Sequence, residues 1–273
     1  MKKVTKRTLT CRYPKTFNIR LVCLFLVSIM ILFMETNILQ ASEEEQPDAA
    51  VILDKFVEVT GGLEAYNRIQ NRVIKGIFEI PQAGIRAEWI NYQSRPNKIY
   101  VKFENKALGT IENGSNGEVV WEKSTMDGPR IKEGEERDNA LQDTLFDPEA
   151  YWREAYKKVE WLGIEKINFK PCYKVLMVPN VGASQTFYFD TKTYLLLKLE
   201  RTEKIQMGAV HVEIFTKDYK KVDDILLPHK LIIRAMGQER IMKANSIEQN
   251  VKIPDDLFKL PEDIQALLEK SDK

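Results

Sequence analysis

Apolar and polar residues alternate along residues 159–234 in short runs separated by turn-forming residues. Residues 172–178 are apolar or aromatic apart from Lys174, Thr-Phe-Tyr-Phe follows at 186–189, and Asp190-Thr-Lys-Thr193 closes that run. In the next run Leu195, Leu197 and Leu199 fall on one side, with Lys198 and Glu200 on the other beside Leu196. A repeat of two residues marks a half-buried strand, and β-branched and aromatic side chains suit a pleated surface. The pattern returns at 210–215 and 231–234, so the whole stretch predicts a ladder of antiparallel strands. An apolar sheet face needs a cover.

Upstream the period changes. Asp48 is placed to cap a helix, and Ala49, Ile52, Leu53, Phe56 and Val59 recur at spacings of three and four, one apolar face. Gly61-Gly62 ends it, and residues 63–69 predict a second short helix packing through Leu63, Tyr66 and Ile69. Residues 73–80 and 85–92 then read as a hairpin around Pro81-Gln-Ala-Gly84, with another turn at Pro96-Asn-Lys98. Ile99, Val101 and Phe103 share one face of the following strand. Asn113-Gly114 and Asn116-Gly117 both carry turn signals and bracket the approach to Val119-Val-Trp121.

Residues 125–160 depart from this pattern. Asp127-Gly-Pro129 opens a polar linker, Ala140, Leu141 and Leu145 suggest a short helix, and Pro148 can open a second one carrying Glu149, Trp152, Tyr156 and Val159. The result is a helical insertion near 137–160, either a solvated connector or a lid over the sheet. At the far end Asp223-Asp224 turns into Ile225-Leu-Leu-Pro228, a strand pair forms around Gly237, and residues 261–268 predict a terminal helix with Ile264, Leu267 and Leu268 as its apolar side.

At the N-terminus a basic run leads into residues 21–34, which are uncharged and almost wholly apolar. This run is short for a membrane span of about 20 residues and suits an export signal. Leu39-Gln-Ala41 offers cleavage after Ala41; left uncleaved, the run would anchor the chain to the inner membrane with its basic end in the cytoplasm. Residues 1–41 are therefore read as an export signal or anchor and residues 42–273 as one domain, exported to the periplasm. Neither Cys11 nor Cys23 follows the apolar core, so no lipid attachment is expected. Cys172, in a predicted strand, reads as a small buried hydrophobe.

The formal charge of +1 hides an asymmetry. Seven of the 41 basic residues and one of the 40 acidic ones fall in residues 1–41, leaving 34 basic against 39 acidic in the body. That balance argues against a nucleic-acid surface. The body has two histidines, His211 and His229, and no cysteine cluster, so neither a metal nor a cofactor is expected. No HExxH, phosphate loop or GxSxG elbow occurs, and no catalytic residue is assigned.

Several phrases, in order, resemble the outer-membrane lipoprotein-sorting protein family of the lipoprotein carrier superfamily. They are Ile52-Leu-Asp-Lys-Phe-Val-Glu-Val-Thr-Gly-Gly62 with Lys75-Gly76, and Gly163-Ile-Glu running to Pro171-Cys-Tyr-Lys174. Phe187-Tyr-Phe-Asp-Thr-Lys-Thr-Tyr-Leu-Leu196 and Val222-Asp-Asp-Ile-Leu-Leu-Pro228 complete the set, with Asp224 where the family carries glycine. The resemblance implies a mainly β fold, an incomplete antiparallel β-barrel covered by short helices. It also implies non-enzymatic binding of a lipid, lipoprotein acyl chain or other hydrophobic molecule in the cell envelope, with an envelope protein as a further partner. On alternation alone Ile99, Val101, Phe103, Trp121, Phe187, Phe189, Leu195, Leu197, Val212 and Ile214 are expected to line a cavity, with Ile52, Leu53 and Phe56 as its floor. Two other readings stay open: an envelope adaptor with a solid core, and an envelope hydrolase.

Overall fold

A computed structural model describes residues 47–106, 109–205, 208–254 and 256–271. The apolar run at 21–34, Cys11, Cys23 and the junction after Ala41 lie outside these residues. Residues 47–273 make one unit.

Helix α1 (Ala49–Val59) starts where the capping signal places it: Asp48 accepts the Ala50 N–H at 3.0 Å, satisfying an amide with no partner inside the helix. Ile52, Leu53, Phe56 and Val57 form its buried stripe together with Ala49. Gly61 follows at φ +138°, and a Cβ there would lie 2.5 Å from the Asp224 carbonyl oxygen, so glycine is needed both for the backbone and for the close approach. Helix α2 (Leu63–Asn67) is two residues shorter than predicted.

The strands are β1 (Asn71–Ile80), β2 (Ile85–Ser94), β3 (Lys98–Asn105), β4 (Gly109–Ser115), β5 (Val120–Ser124) and β6 (Gly128–Ile131), then β7 (Tyr156–Ile167), β8 (Lys170–Pro179), β9 (Gln185–Asp190), β10 (Leu196–Ile205), β11 (Gly208–Val222), β12 (Ile225–Ala235) and β13 (Gln238–Gln249). Helices α3 (Gly134–Thr144) and α4 (Trp152–Ala155) lie between β6 and β7, and α5 (Glu262–Ser271) closes the chain. All strands join one 13-stranded sheet in the order β6-β5-β4-β3-β2-β1-β13-β12-β11-β10-β9-β8-β7. Every neighbouring pair is antiparallel, and β6 and β7 are left as edges, so the sheet is not closed into a barrel. The fold class is the one the alternation and the family resemblance led us to expect.

Four local expectations are corrected. Asn113-Gly114 lies inside β4 and makes no turn. Trp121 on the neighbouring strand sits over Gly114, where a Cβ would be 2.4 Å from the indole, so this glycine provides clearance. The supposed polar linker at Asp127-Gly-Pro129 is the tip of a hairpin and the start of β6. Tyr156 and Val159 are strand, since pairing with Pro179 and Met177 on β8 outweighs their helical spacing. Finally, the β10 register shifts between Leu196 and Lys198. This bulge turns Leu196 and Leu199 to one face and Leu197 to the other, where strict alternation keeps Leu197 with Leu199.

The largest core lies between α1 and the β7–β10 half of the sheet. Val175, Met177, Phe187 and Phe189 are completely buried there beneath Ile52 and Leu53, and the Phe56 and Phe189 rings sit 5.4 Å apart. Each such side chain contributes about 1.5–3 kcal/mol through burial. A smaller cluster on the other face joins Ile167, Cys172, Tyr188, Phe215 and Ile232, with Leu197 against it. Burial pushes the Cys172 thiol above its usual range, which suits a packing role.

Candidate functional site

The insertion between β6 and β7 is a cover. Helix α3 contacts β5 on one side and β10 on the other, so it crosses the mouth of the sheet. Its start is held by Arg130, which donates to Glu136 at 2.7 and 2.9 Å and to Glu122 on β5 at 3.2 Å. Near its end Asp143 accepts two bonds from Arg201 on β10, both 2.6 Å. The following loop is tied to β1, where Arg72 donates to Asp147 at 2.8 and 3.0 Å with both side chains nearly buried. Further along, Arg153 makes two 2.8 Å bonds to Asp54 of α1.

Between this cover and the middle of the sheet is a hollow of about 370 Å³. That volume falls at the low end of the range of roughly 300–1,000 Å³ typical of small-molecule sites. The sheet side of the lining carries apolar Ile74 of β1, Leu199 of β10, Ile214 of β11, Leu231 of β12, and Met242 and Ile247 of β13, interspersed with Arg201, Thr216 and His229. Arg72, Trp89, Asn91 and Gln93 continue the same face on β1 and β2, and Gln142, Asp143, Asp147 and Glu149 come from the cover. Tyr66, Tyr156 and Tyr219 also reach it. The hollow is thus mixed in chemistry, where alternation predicted a wholly apolar lining.

Glu149 is the unusual group. Its side chain keeps partial exposure, which faces the hollow, while protein surrounds it closely. Burial is the main cause that pushes its carboxyl up to about 7, and the nearby Asp147 carboxylate adds to it. The same enclosure pushes the Tyr66 hydroxyl pKa above its usual range, and that of Tyr156 likewise, where the Glu149 carboxylate adds to the effect.

The sequence-predicted lining residues separate into several places. Phe56 and Ile214 line the hollow. Ile52, Leu53, Phe187 and Phe189 belong to the solid core under α1. Ile99, Val101 and Phe103 pair across from Gln93, Asn91 and Trp89, so they share the hollow's face but lie one strand beyond its wall. Val212 is on the same face, opposite Arg201, and is buried beyond the lining. Leu195 sits in the turn before β10, its carbonyl accepting the Asp190 N–H at 2.9 Å. Leu197 and Trp121 point to the other face. Trp121 packs there with its ring 6.2 Å from Tyr100, next to the Lys123–Asp263 ion pair that docks α5.

What alternation missed are Arg72, Trp89, Asn91 and Glu149. The run Trp89-Ile-Asn-Tyr-Gln93 does place polar groups at every second position of an inward face, and that signal was legible. Helical spacing places Glu149 in a helix opened by Pro148, but it lies in the turn before α4 (Trp152–Ala155), where that spacing does not say what it faces.

Among the described residues one group of metal-capable side chains converges: the ligand atoms of Glu200, His211 and Glu213 lie within 4.8 Å of one another. Lys198 reaches Glu200 and Glu213 at 2.6 Å each, and the Tyr188 hydroxyl donates to Glu200 at 2.6 Å. A built-in ammonium therefore answers the negative charge a metal would need. No helix among the described residues is long and apolar enough to cross a membrane.

No protein-family model matches this chain, and no curated protein matches it. Its fold is similar to several solved structures. One is a DUF1329 family protein from Desulfovibrio piger, with TM-score 0.54 and 12% identity over 77% of this chain and 97% of that one. Another is a LolA superfamily protein from Nitrosomonas europaea, with TM-score 0.54 and 14% identity over 78% and 98%. A third is a domain assigned to outer membrane lipoprotein sorting in Vibrio parahaemolyticus, with TM-score 0.51 and 14% identity over 76% and 97%. At this identity the likeness shows a shared fold.

Proposed function

We propose that this protein binds a hydrophobic or amphipathic small molecule without chemical change, holding it in the hollow between the sheet and the insertion. The observation that carries this reading is the hollow itself: about 370 Å³ bounded by Ile74, Leu199, Ile214, Leu231, Met242 and Ile247. Each methylene moved from water onto such a wall contributes about 0.8 kcal/mol, so a short acyl chain can be held with no covalent step. The core under α1 is filled by its own side chains, whereas the middle of the same sheet is not. The adaptor reading with a solid core therefore fits one half of the molecule only.

The apolar run at 21–34 supports a cell-envelope setting for this activity, with the body on the periplasmic side. The same fold occurs in a domain assigned to outer membrane lipoprotein sorting, a setting in which acyl chains must be kept from water. A lipid or lipoprotein acyl chain is accordingly the proposed cargo, with delivery to an envelope protein as the proposed outcome.

The test is titration with the neutral apolar fluorophore N-phenyl-1-naphthylamine, with native mass spectrometry for a co-purifying lipid. Saturable binding that Ile214→Trp abolishes by filling the hollow is the expected result. No binding, or binding that the filled variant retains, overturns the reading.

A further inference from the structure

Polar groups without partners are rare inside proteins, because each loses its water on folding. Among the described residues six buried side-chain atoms have no hydrogen-bond partner, and four of them belong to residues that line the hollow: Arg72 Nε, Trp89 Nε1, Asn91 Oδ1 and Gln142 Nε2. Gln142 lies against the Tyr156 hydroxyl. The remaining three sit together on the β1–β2 wall. Asn91 pairs across from Ile74, Trp89 across from Gly76 and Arg72 across from Gln93, so they occupy successive positions of one face. Arg72 and Trp89 are each more than nine-tenths buried.

The charges define what these atoms can receive. Arg72 already carries Asp147 on its two terminal nitrogens. Arg201 already carries Asp143 and Glu203. Both arginines of the lining are thus matched, and Glu149 adds a carboxyl with no basic side chain bonded to it among the described residues. Of the basic side chains in the lining, His229 alone lacks a carboxylate partner, its Nδ1 lying 3.1 Å from the Leu227 carbonyl oxygen. A carboxylate or phosphate entering here would therefore meet three acidic side chains and no unclaimed arginine or lysine. A hydroxyl or amide would approach the residues that carry two unpartnered donors, Arg72 Nε–H and Trp89 Nε1–H, and one unpartnered acceptor in the Asn91 amide, each of which a small side-chain shift must open to the hollow. A hydroxyl both donates and accepts, so it satisfies either orientation of that amide.

Resting on the reading that the hollow holds a ligand, we propose that it selects an uncharged amphiphile whose head bears hydroxyl or amide groups. The head would lie against Arg72, Trp89 and Asn91, and the chain along Ile214, Leu231 and Met242. Free anionic lipids are discriminated against. The selection follows from what each head would leave unpaired: sites built to hydrogen-bond a group reject analogues lacking it.

The experiment is displacement of bound N-phenyl-1-naphthylamine at pH 8 by 1-monodecanoylglycerol and by decanoate, in the wild type, Trp89→Phe and Asn91→Leu. The wild type is expected to hold the glyceride about tenfold or more tighter than the carboxylate, and each variant to weaken the glyceride about tenfold, the loss of one hydrogen bond. Both variants should still bind the fluorophore saturably, which reports that the hollow is still formed, and the loss of glyceride affinity is read relative to each variant's own fluorophore affinity. If the fluorophore binds but decanoate competes as well as the glyceride, or if neither variant affects the glyceride, the head site is overturned while the apolar site stands. If the fluorophore does not bind the wild type, the proposed function falls with it.

Discussion

Arg72 on β1 and Asp147 in the cover face each other as a two-point ion pair at 2.8 and 3.0 Å, with side chains only 7% and 10% exposed. The Phe146 ring lies 5.0 Å from the same guanidinium. This pair fastens the irregular segment after α3 to the wall of the sheet, and so sets the height of the hollow. Removing one member of a buried pair leaves the other charged and unsolvated. Asp147→Ala is expected to destabilise the fold by about 3–5 kcal/mol, read as a lowered urea midpoint.

Glu149 makes stability depend on pH in the direction opposite to most carboxylates. Its folded value of about 7 lies above the ordinary 4.5, with burial as the main cause. Below the ordinary value both folded and unfolded states hold the proton, and burial carries no ionisation cost. Between about 4.5 and 7 the unfolded chain ionises first, so the folded state loses ground, and the loss is complete above about 7. Glu149→Gln is therefore expected to leave stability unchanged near pH 4 and to raise it by up to about 3 kcal/mol at pH 8. Denaturant titrations at the two pH values check the difference; equal effects at both would contradict it.

The Asp143–Arg201 contact works as a latch. Arg201 retains Glu203 when Asp143 is lost, so its charge stays answered. Asp143→Ala should then free the end of α3 at little global cost. Hydrogen exchange is expected to speed up in α3 and the residues after it, with β9–β11 protection unchanged.

Gly114 and Trp121 form a tight pair on the outer face. A Cβ at Gly114 would lie 2.4 Å from the indole. Gly114→Ala should cost about 1–3 kcal/mol by overpacking, measured as a lower denaturation midpoint. Trp121→Ala in the same background should remove the clash, so the two effects should not add.

Lys198 holds apart a potential metal site. With Lys198→Met, Glu200, His211 and Glu213 keep their spacing but lose the ammonium between them. The variant is expected to bind zinc by calorimetry, and the wild type to give no such signal.

Most of the strand runs, the α1 cap at Asp48 and the α5 stripe through Ile264 were legible in the sequence, because each depends on neighbours two to four residues away, whereas the β1–β13 pairing joins distant parts of the chain. The Leu196–Lys198 bulge was not, since one extra residue in β10 reverses the facing of Leu197 and only the pairing with β9 reveals it. Nor was Trp121, whose face depends on the glycine opposite it on β4. Period alone also chose Phe187 and Phe189 as cavity lining, when both are covered by α1.

By itself the sequence determined that this chain builds a large antiparallel sheet with helices to cover it, since two-residue and three-to-four-residue periods act locally. Only the tertiary structure decided where that cover touches. It packs solidly over β7–β10 and stands off over β1 and β10–β13, held at Arg201 by Asp143 near the end of α3 and at Arg72 by Asp147 in the irregular segment after it. The physical reason is that a hollow is a property of the distance between two surfaces, and ion pairs between residues 75 and 58 positions apart in the chain set that distance here.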